Sequence, residues 1–193
     1  DVPMIGSSVG GVIFDGDVHT EGALLICLAS RLSSVRVGHG LNARINGAGA
    51  VDALWNQLFV PLGESGELER NLNPVGNRWL LTFLPGYRKL GDTSSYCAPE
   101  LHRVLSDKVM GRFPVSGGIS CPGDTTTEQI PLQFANWRVF EDAAVGALIE
   151  SGTSAATSTA HGFRETETKL RVEDVSEDGR SIKRFSEAGA AAT

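Results

Sequence analysis

One segment of this chain occurs twice, and that repetition limits the folds open to it more than any other feature. Residues 113–163 open on Phe113-Pro114-Val115-Ser116-Gly117-Gly118-Ile119 and cross a polar loop. They return through Trp137-Arg138-Val139-Phe140-Glu141-Asp142-Ala143-Ala144-Val145 and end at Ala160-His161-Gly162-Phe163. The first forty residues carry the same order. Pro3-Met4-Ile5-Gly6-Ser7-Ser8 stands for Pro114 to Ile119, and Val18-His19-Thr20-Glu21-Gly22-Ala23-Leu24 stands for Val139 to Val145. Each copy closes on a His-Gly pair. Val18 to His39 spans 21 positions and Val139 to His161 spans 22, so a single insertion aligns them. A repeat over about 3–42 and 113–164 predicts a body of two related, pseudo-duplicated halves.

With 193 residues the chain can bury a sizeable core. The halves read as one domain over 1–187, with the Ala-Gly-Ala-Ala-Ala-Thr end at 188–193 left as a linker or tail. A net charge of -6 excludes a nucleic-acid partner, which would call for clustered Lys and Arg. It gives no reason to invoke a membrane either, and the longest apolar run, residues 23–29, is far short of a bilayer span. Cys27, Cys97 and Cys121 are odd in number and lack metal-ligand spacing, the usage of a reducing cytoplasm rather than a disulfide framework.

Periodicity predicts a mixed α/β fold with β-sheets inside and helices outside. Residues 3–12 read as a buried strand breaking into a glycine turn. Residues 23–30, continuous and apolar, read as a strand covered on both faces, paired with 33–37 through a turn at Ser30-Arg31. Val51, Leu54, Trp55, Leu58 and Phe59 lay one stripe along a helix that Asn46 caps and Pro61 and Gly63 stop. Residues 61–77 form a long polar connection with a short helical turn at 67–71. Residues 79–84 are a strand, 99–110 a helix ended by Gly111, and the segment from Phe113 a strand completing a right-handed βαβ unit. A polar loop over 120–135 leads to strands at 137–150, 155–163, 168–175 and 180–186, the last two joined at Asp178-Gly179.

The chain resembles the FIST sensory domain family, specifically its N-terminal region. The residues that carry the likeness are Pro114-Val115-Ser116-Gly117-Gly118, the run from Val139 to Val145, His161-Gly162, and the closing hairpin from Leu170-Arg171-Val172 to Phe185-Ser186-Glu187-Ala188-Gly189-Ala190. The likeness covers nearly the whole chain. It implies an intracellular ligand-sensing module of the kind found in bacteria and in some eukaryotic F-box proteins, acting in signal transduction, with amino acids among the ligands and no established catalytic residues. The first copy lacks the strand and helix that precede the second, and the family's usual C-terminal partner region does not follow Thr193. The expectation is a fragment or trimmed relative whose Met4 strand lies at an open sheet edge, where another chain can pair to give a homo-oligomer.

The candidate ligand-binding residues follow from the repeat. Gly6-Ser7-Ser8 and Ser116-Gly117-Gly118 read as glycine-rich turns after strands whose backbone N–H groups can receive a carboxylate, or else as sites where glycine merely permits positive φ or close packing. His39 and His161 occupy equivalent positions and can face one cleft, or be strand-end histidines satisfied by backbone. The predicted site is therefore Ser7, Ser8, Ser116, Gly117, Gly118, His39 and His161, with a small amino acid or carboxylate as ligand and a downstream signalling domain or protein as partner. No GxGxxG opens a helix, His19 and His102 supply no metal set, and no cofactor is expected. Two other classes compete: a protein-interaction module working by its surface, and a Cys-dependent acyl-transfer enzyme on Cys121 or Cys97. The enzyme has no orienting residue for its thiol and is set aside. Asp15-Gly16-Asp17 reads as an ordinary turn, and the acidic run 173–178 as a solvated hairpin.

Overall fold

The computed structural model describes residues 2–27, 33–59, 78–88, 97–121, 129–152, 154, 156–158, 164, 168–177 and 181–187. The chain divides into two units, Asp1–Thr157 and Ser158–Thr193. In chain order the first contains β1 (Ile5–Ser7), β2 (Val12–Phe14), β3 (Asp17–His19), β4 (Ser33–Leu41), α1 (Gly47–Phe59), β5 (Arg78–Pro85), α2 (Ala98–Val109), β6 (Val115–Ser120), β7 (Gln133–Ala135), β8 (Arg138–Phe140) and β9 (Ala143–Ser151). The mixed α/β class expected from the periodicity is the one observed.

A four-stranded sheet of order β4-β9-β5-β6 is the middle layer of this unit. β9 runs antiparallel to both β4 and β5, whereas β5 and β6 are parallel and joined through α2, as the βαβ reading requires. Alternation along β9 decides what each face carries. Ala144 and Leu148 join Leu80, Leu84 and the buried stripes of α1 and α2 in one core. Ala143 and Val145 point the other way, into a second cluster with Ala135, Phe140, Ile5, Val37 and Phe83. That cluster roofs the sheet with a smaller antiparallel one, β1-β7-β8. Among the described residues β1 pairs with β7 alone, so the edge position expected for the Met4 strand is where it lies.

The helices form for the reasons the sequence advertises. Asn46 Oδ1 accepts the Gly49 N–H at 2.9 Å, capping α1, and Val51, Leu54, Leu58 and Phe59 are buried. α1 lies close against β4, where a Cβ on Gly40 would overlap the Ala50 carbonyl. Gln57 then covers the outer edge of β4: its Nε2 donates to His39 O at 2.7 Å and its Oε1 accepts the His39 N–H at 3.1 Å. α2 buries Leu101, Leu105 and Val109 and ends at Met110, whose φ of 49° makes the left-handed turn one residue before the predicted Gly111.

Several expectations need correction. Residues 23–27 form no strand and are exposed, because the described structure places no partner strand beside them; β4 pairs with β9 instead. The Ser30-Arg31 turn, residues 61–77 and the tail at 188–193 lie outside the described residues. The strand expected over 3–12 is shorter, since glycines at 10 and 11 separate β1 from the β2–β3 hairpin. The loop expected over 120–135 contains β7, and the single strand expected over 137–150 is two, β8 and β9, broken at Glu141-Asp142. Asp15-Gly16 is a turn as read, with both residues at positive φ.

The second unit contains β10 (Leu170–Val175) and β11 (Ile182–Glu187), an antiparallel hairpin with Val172 opposite Phe185. Ser176 N–H donates to Ser181 O at 2.8 Å and closes it. Asp178-Gly179 lies outside the described residues. Of the strand expected over 155–163, residues 156–158 are described and are not a strand.

The structure does not show the two pseudo-duplicated halves expected from the repeat, but two hairpins share one register. The pairs Val12↔His19, Ile13↔Val18 and Phe14↔Asp17 of β2–β3 reappear 121 positions on as Gln133↔Phe140, Phe134↔Val139 and Ala135↔Arg138 of β7–β8. Both turns use two residues of positive φ, Asp15-Gly16 and Asn136-Trp137. Beyond the hairpin the likeness stops, since β9 has no strand as its counterpart in residues 23–27.

Candidate functional site

In a parallel pair the crevice that receives ligands lies outside the carboxyl ends of the strands. Here β5 and β6 finish side by side, with Pro85 opposite Ser120. α2 begins at the same place: the Cys97 thiol, just before the helix, donates to Pro85 O at 4.0 Å, so the positive end of the helix dipole adjoins the exit of β5. Arg44 reaches the exit as well. Its Nη2 donates to Gly86 O at 3.0 Å, while Nη1 donates to Asp142 Oδ1 at 3.1 Å and to Glu141 O at 2.8 Å. Asp142 Oδ1 also accepts the Arg44 N–H at 3.0 Å.

β1 arrives at the exit of β6. The Cys121 N–H donates to Ser8 O at 3.2 Å. Ser8 is held by Leu132 from both sides, donating its N–H to Leu132 O at 2.8 Å and accepting the Leu132 N–H on Oγ at 2.8 Å. Ser120, next to Cys121 and opposite Pro85, is fully buried, and its hydroxyl has no hydrogen-bond partner among the described residues. A buried hydroxyl left unpaired costs about 1–3 kcal/mol, which a polar ligand atom or a water would recover. A helix N-terminus and a hydroxyl in need of a partner favour an anionic group over a cation, while Arg44, already bonded to Asp142, Glu141 and Gly86, fixes the shape of the exit.

The same surroundings argue against thiol chemistry. Burial pushes the Cys97 thiol above its ordinary pKa; the Arg44 guanidinium pulls it back only in part, and Asp142 and Glu100 push it further up. A nucleophilic cysteine needs the opposite shift. Cys121 is half-buried. Its proposed partner His161 lies outside the described residues.

The predicted site residues are divided between places. Ser7 ends β1 and Ser8 follows it, whereas Ser116, Gly117 and Gly118 lie within β6 and not in the turn after a strand that was expected. The two segments meet at their carboxyl ends, through Ser8 and Cys121. Gly117 has a packing reason of its own: a Cβ there would overlap the Thr82 carbonyl of β5. Gly118 is exposed and its Cβ position meets only Phe83 Cδ1 at 3.9 Å. His39 stands in the layer between the two sheets, its ring stacked on Phe140 at 4.6 Å. Burial first, and the charge of Arg138 second, hold its pKa below the ordinary value. Its contacts are with Phe140, Gln57 and Val145 and not with Ser8 or β6.

Arg44 and Ser120 were not singled out by the repeat. Arg44 follows the end of β4 and Ser120 ends β6, so only the position of each just past or at a strand end marked them in advance. Among the described residues no group of His, Cys, Asp and Glu is arranged to hold a metal, and no helix is long and apolar enough to cross a membrane. A family model, the FIST N domain, matches residues 1–187. No curated protein and no solved structure matches the chain.

Proposed function

The chain belongs to the FIST family, a family of sensory domains in signalling proteins, its N-terminal domain model spanning residues 1–187, and from that membership we propose that it binds a small carboxylate, an amino acid among the candidates, at the carboxyl ends of β5 and β6. The observation that carries this reading is the buried, unpartnered hydroxyl of Ser120 beside the junction of Ser8 and Cys121. The ligand carboxylate accepts from that hydroxyl, with the α2 dipole favouring its charge. The proposed role is one of binding and not of turnover: burial pushes the Cys97 thiol, at the start of α2, above its ordinary range, away from the nucleophilic form. Three cysteines with no metal-ligand spacing support a cytoplasmic setting, where occupancy is passed to a downstream signalling domain or protein.

A thermal-shift screen of amino acids and small carboxylates tests the proposal. A ligand at one hundred times its Kd stabilises the folded state by about 2.7 kcal/mol, a shift of several degrees. Ser120→Ala removes the unpaired hydroxyl without removing any protein hydrogen bond, so the variant is expected to fold at least as stably as the parent and to lose the ligand-induced shift. A screen with no stabilising compound, or an Ser120→Ala variant that shifts as the parent does, refutes the assignment.

A further inference from the structure

β6 is the outer strand of the four-stranded sheet and, among the described residues, pairs only with β5. Its far side therefore presents a row of backbone N–H and C=O groups, and Gly117, Gly118 and Ile119 are exposed along it. The β2–β3 hairpin has the opposite deficit. Among the described residues it forms a sheet by itself, and Ile13, Phe14 and Val18 are 77%, 57% and 69% exposed. A lone two-stranded hairpin in water is marginal, and three apolar side chains exposed on so short a piece call for a cover.

The other half of the molecule contains the solution to the same problem. There the sister hairpin β7–β8 receives β1 on its β7 side, in the register Ile5↔Ala135, Gly6↔Phe134 and Ser7↔Gln133, and Ala135 falls to 2% exposure. In the sequence repeat β1 corresponds to Ser116-Gly117-Gly118 of β6, and β7 corresponds to β2. Carrying the observed register across gives Ser116↔Phe14, Gly117↔Ile13 and Gly118↔Val12. Within one chain these two strands belong to different sheets.

We infer that the free edge of β6 takes the β2–β3 hairpin of a second copy of this chain, antiparallel and in that register, and that the exchange is reciprocal. The result is a two-fold dimer in which each copy gives one hairpin and receives one. Main-chain bonding supplies the affinity, and Phe14, in the place of buried Ala135, supplies the apolar anchor. The absence of side chains at Gly117 and Gly118 lets the incoming strand lie flat against the edge.

Light scattering without added ligand reads the assembly directly: about twice the 20.5 kDa chain mass is expected, and Phe14→Asp should halve it. Because Phe14 is exposed in the single chain, the monomeric variant is expected to stay folded and to keep a cooperative thermal transition, lowered only by the loss of association. Register is tested by disulfide formation in a background with Cys27, Cys97 and Cys121 replaced by alanine. Val12→Cys and Gly118→Cys are placed on separate chains and mixed; the Gly118 position has room for a side chain. A cross-linked heterodimer in the mixture supports the inference. Monomer at all concentrations, a dimer indifferent to Phe14→Asp, or a cross-link that forms only within a chain carrying both substitutions overturns it.

Discussion

At the scale of single residues, neighbouring glycines answer to different causes. Gly117 adjoins the Thr82 carbonyl so closely that a Cβ has no place, while Gly118 has open space around its Cβ position. Gly117→Ala must therefore push β6 away from β5, an overpacking cost of about 1–3 kcal/mol or more, whereas Gly118→Ala should stay within about 0.5 kcal/mol of the parent. Urea unfolding of the two variants side by side checks this. Equal effects would mean that β6 yields freely and that the glycine is not a packing residue. The sequence announced both glycines as members of one motif but held no sign of the Thr82 carbonyl, which comes from a strand more than thirty positions earlier. His39 shows the same limit. Its place in the repeat was legible, but its stacking on Phe140 depends on how two sheets meet.

At the scale of elements, the β7–β8 turn holds Trp137 at a φ of 66°, where the sister turn has Gly16. A left-handed conformation costs a non-glycine residue about 1–2 kcal/mol, and Asn-Gly is the favoured pair for a two-residue hairpin turn. Trp137 is 70% exposed, so little packing is lost on its removal. Trp137→Gly is expected to stabilise the protein by about 0.5–1 kcal/mol, after allowing for the greater freedom of glycine in the unfolded chain. Chemical denaturation measures it, and a destabilised variant would show that the indole makes contacts worth more than the strain. The same tryptophan hides this hairpin in the sequence, where it looks like a loop followed by one long strand: the turn lacks its usual glycine. Where local chemistry was explicit, as in the Asn46 cap, the α1 and α2 stripes and the Asp15-Gly16 turn, the elements were legible in advance. Residues 23–27 misled in the other direction, because a continuous apolar run looks like a buried strand whether or not a partner lies beside it.

At the scale of the whole molecule, one group that ties strands within a sheet and one that lies between sheets make stability depend on pH in the same direction. Glu150 of β9 joins three strands. It accepts from Arg36 of β4 at 2.7 Å, from Arg78 of β5 at 2.7 Å and from Ser34 at 3.2 Å. Burial alone would push its carboxyl up, but the charges of Arg36 and Arg78 and the hydrogen bonds from Arg78 and Ser34 outweigh it and hold the pKa below the ordinary 4.5. His39, between the two sheets, is held below 6.5 by burial and by Arg138. A pKa depressed by folding means that the unfolded chain binds the proton first, so stability is full above the unfolded value and drains away as pH falls toward the folded one. The loss from His39 therefore begins below about pH 6.5 and that from Glu150 below about pH 4.5, one after the other. Urea unfolding free energies measured from pH 7.5 down to pH 4 should decline in that order. His39→Asn should flatten the upper part of the curve and Glu150→Gln the lower part, each at a cost in stability at neutral pH. An upper limb that keeps its slope in His39→Asn would place that proton on another group, and the layer between the sheets would then have no share in the acid sensitivity of the fold.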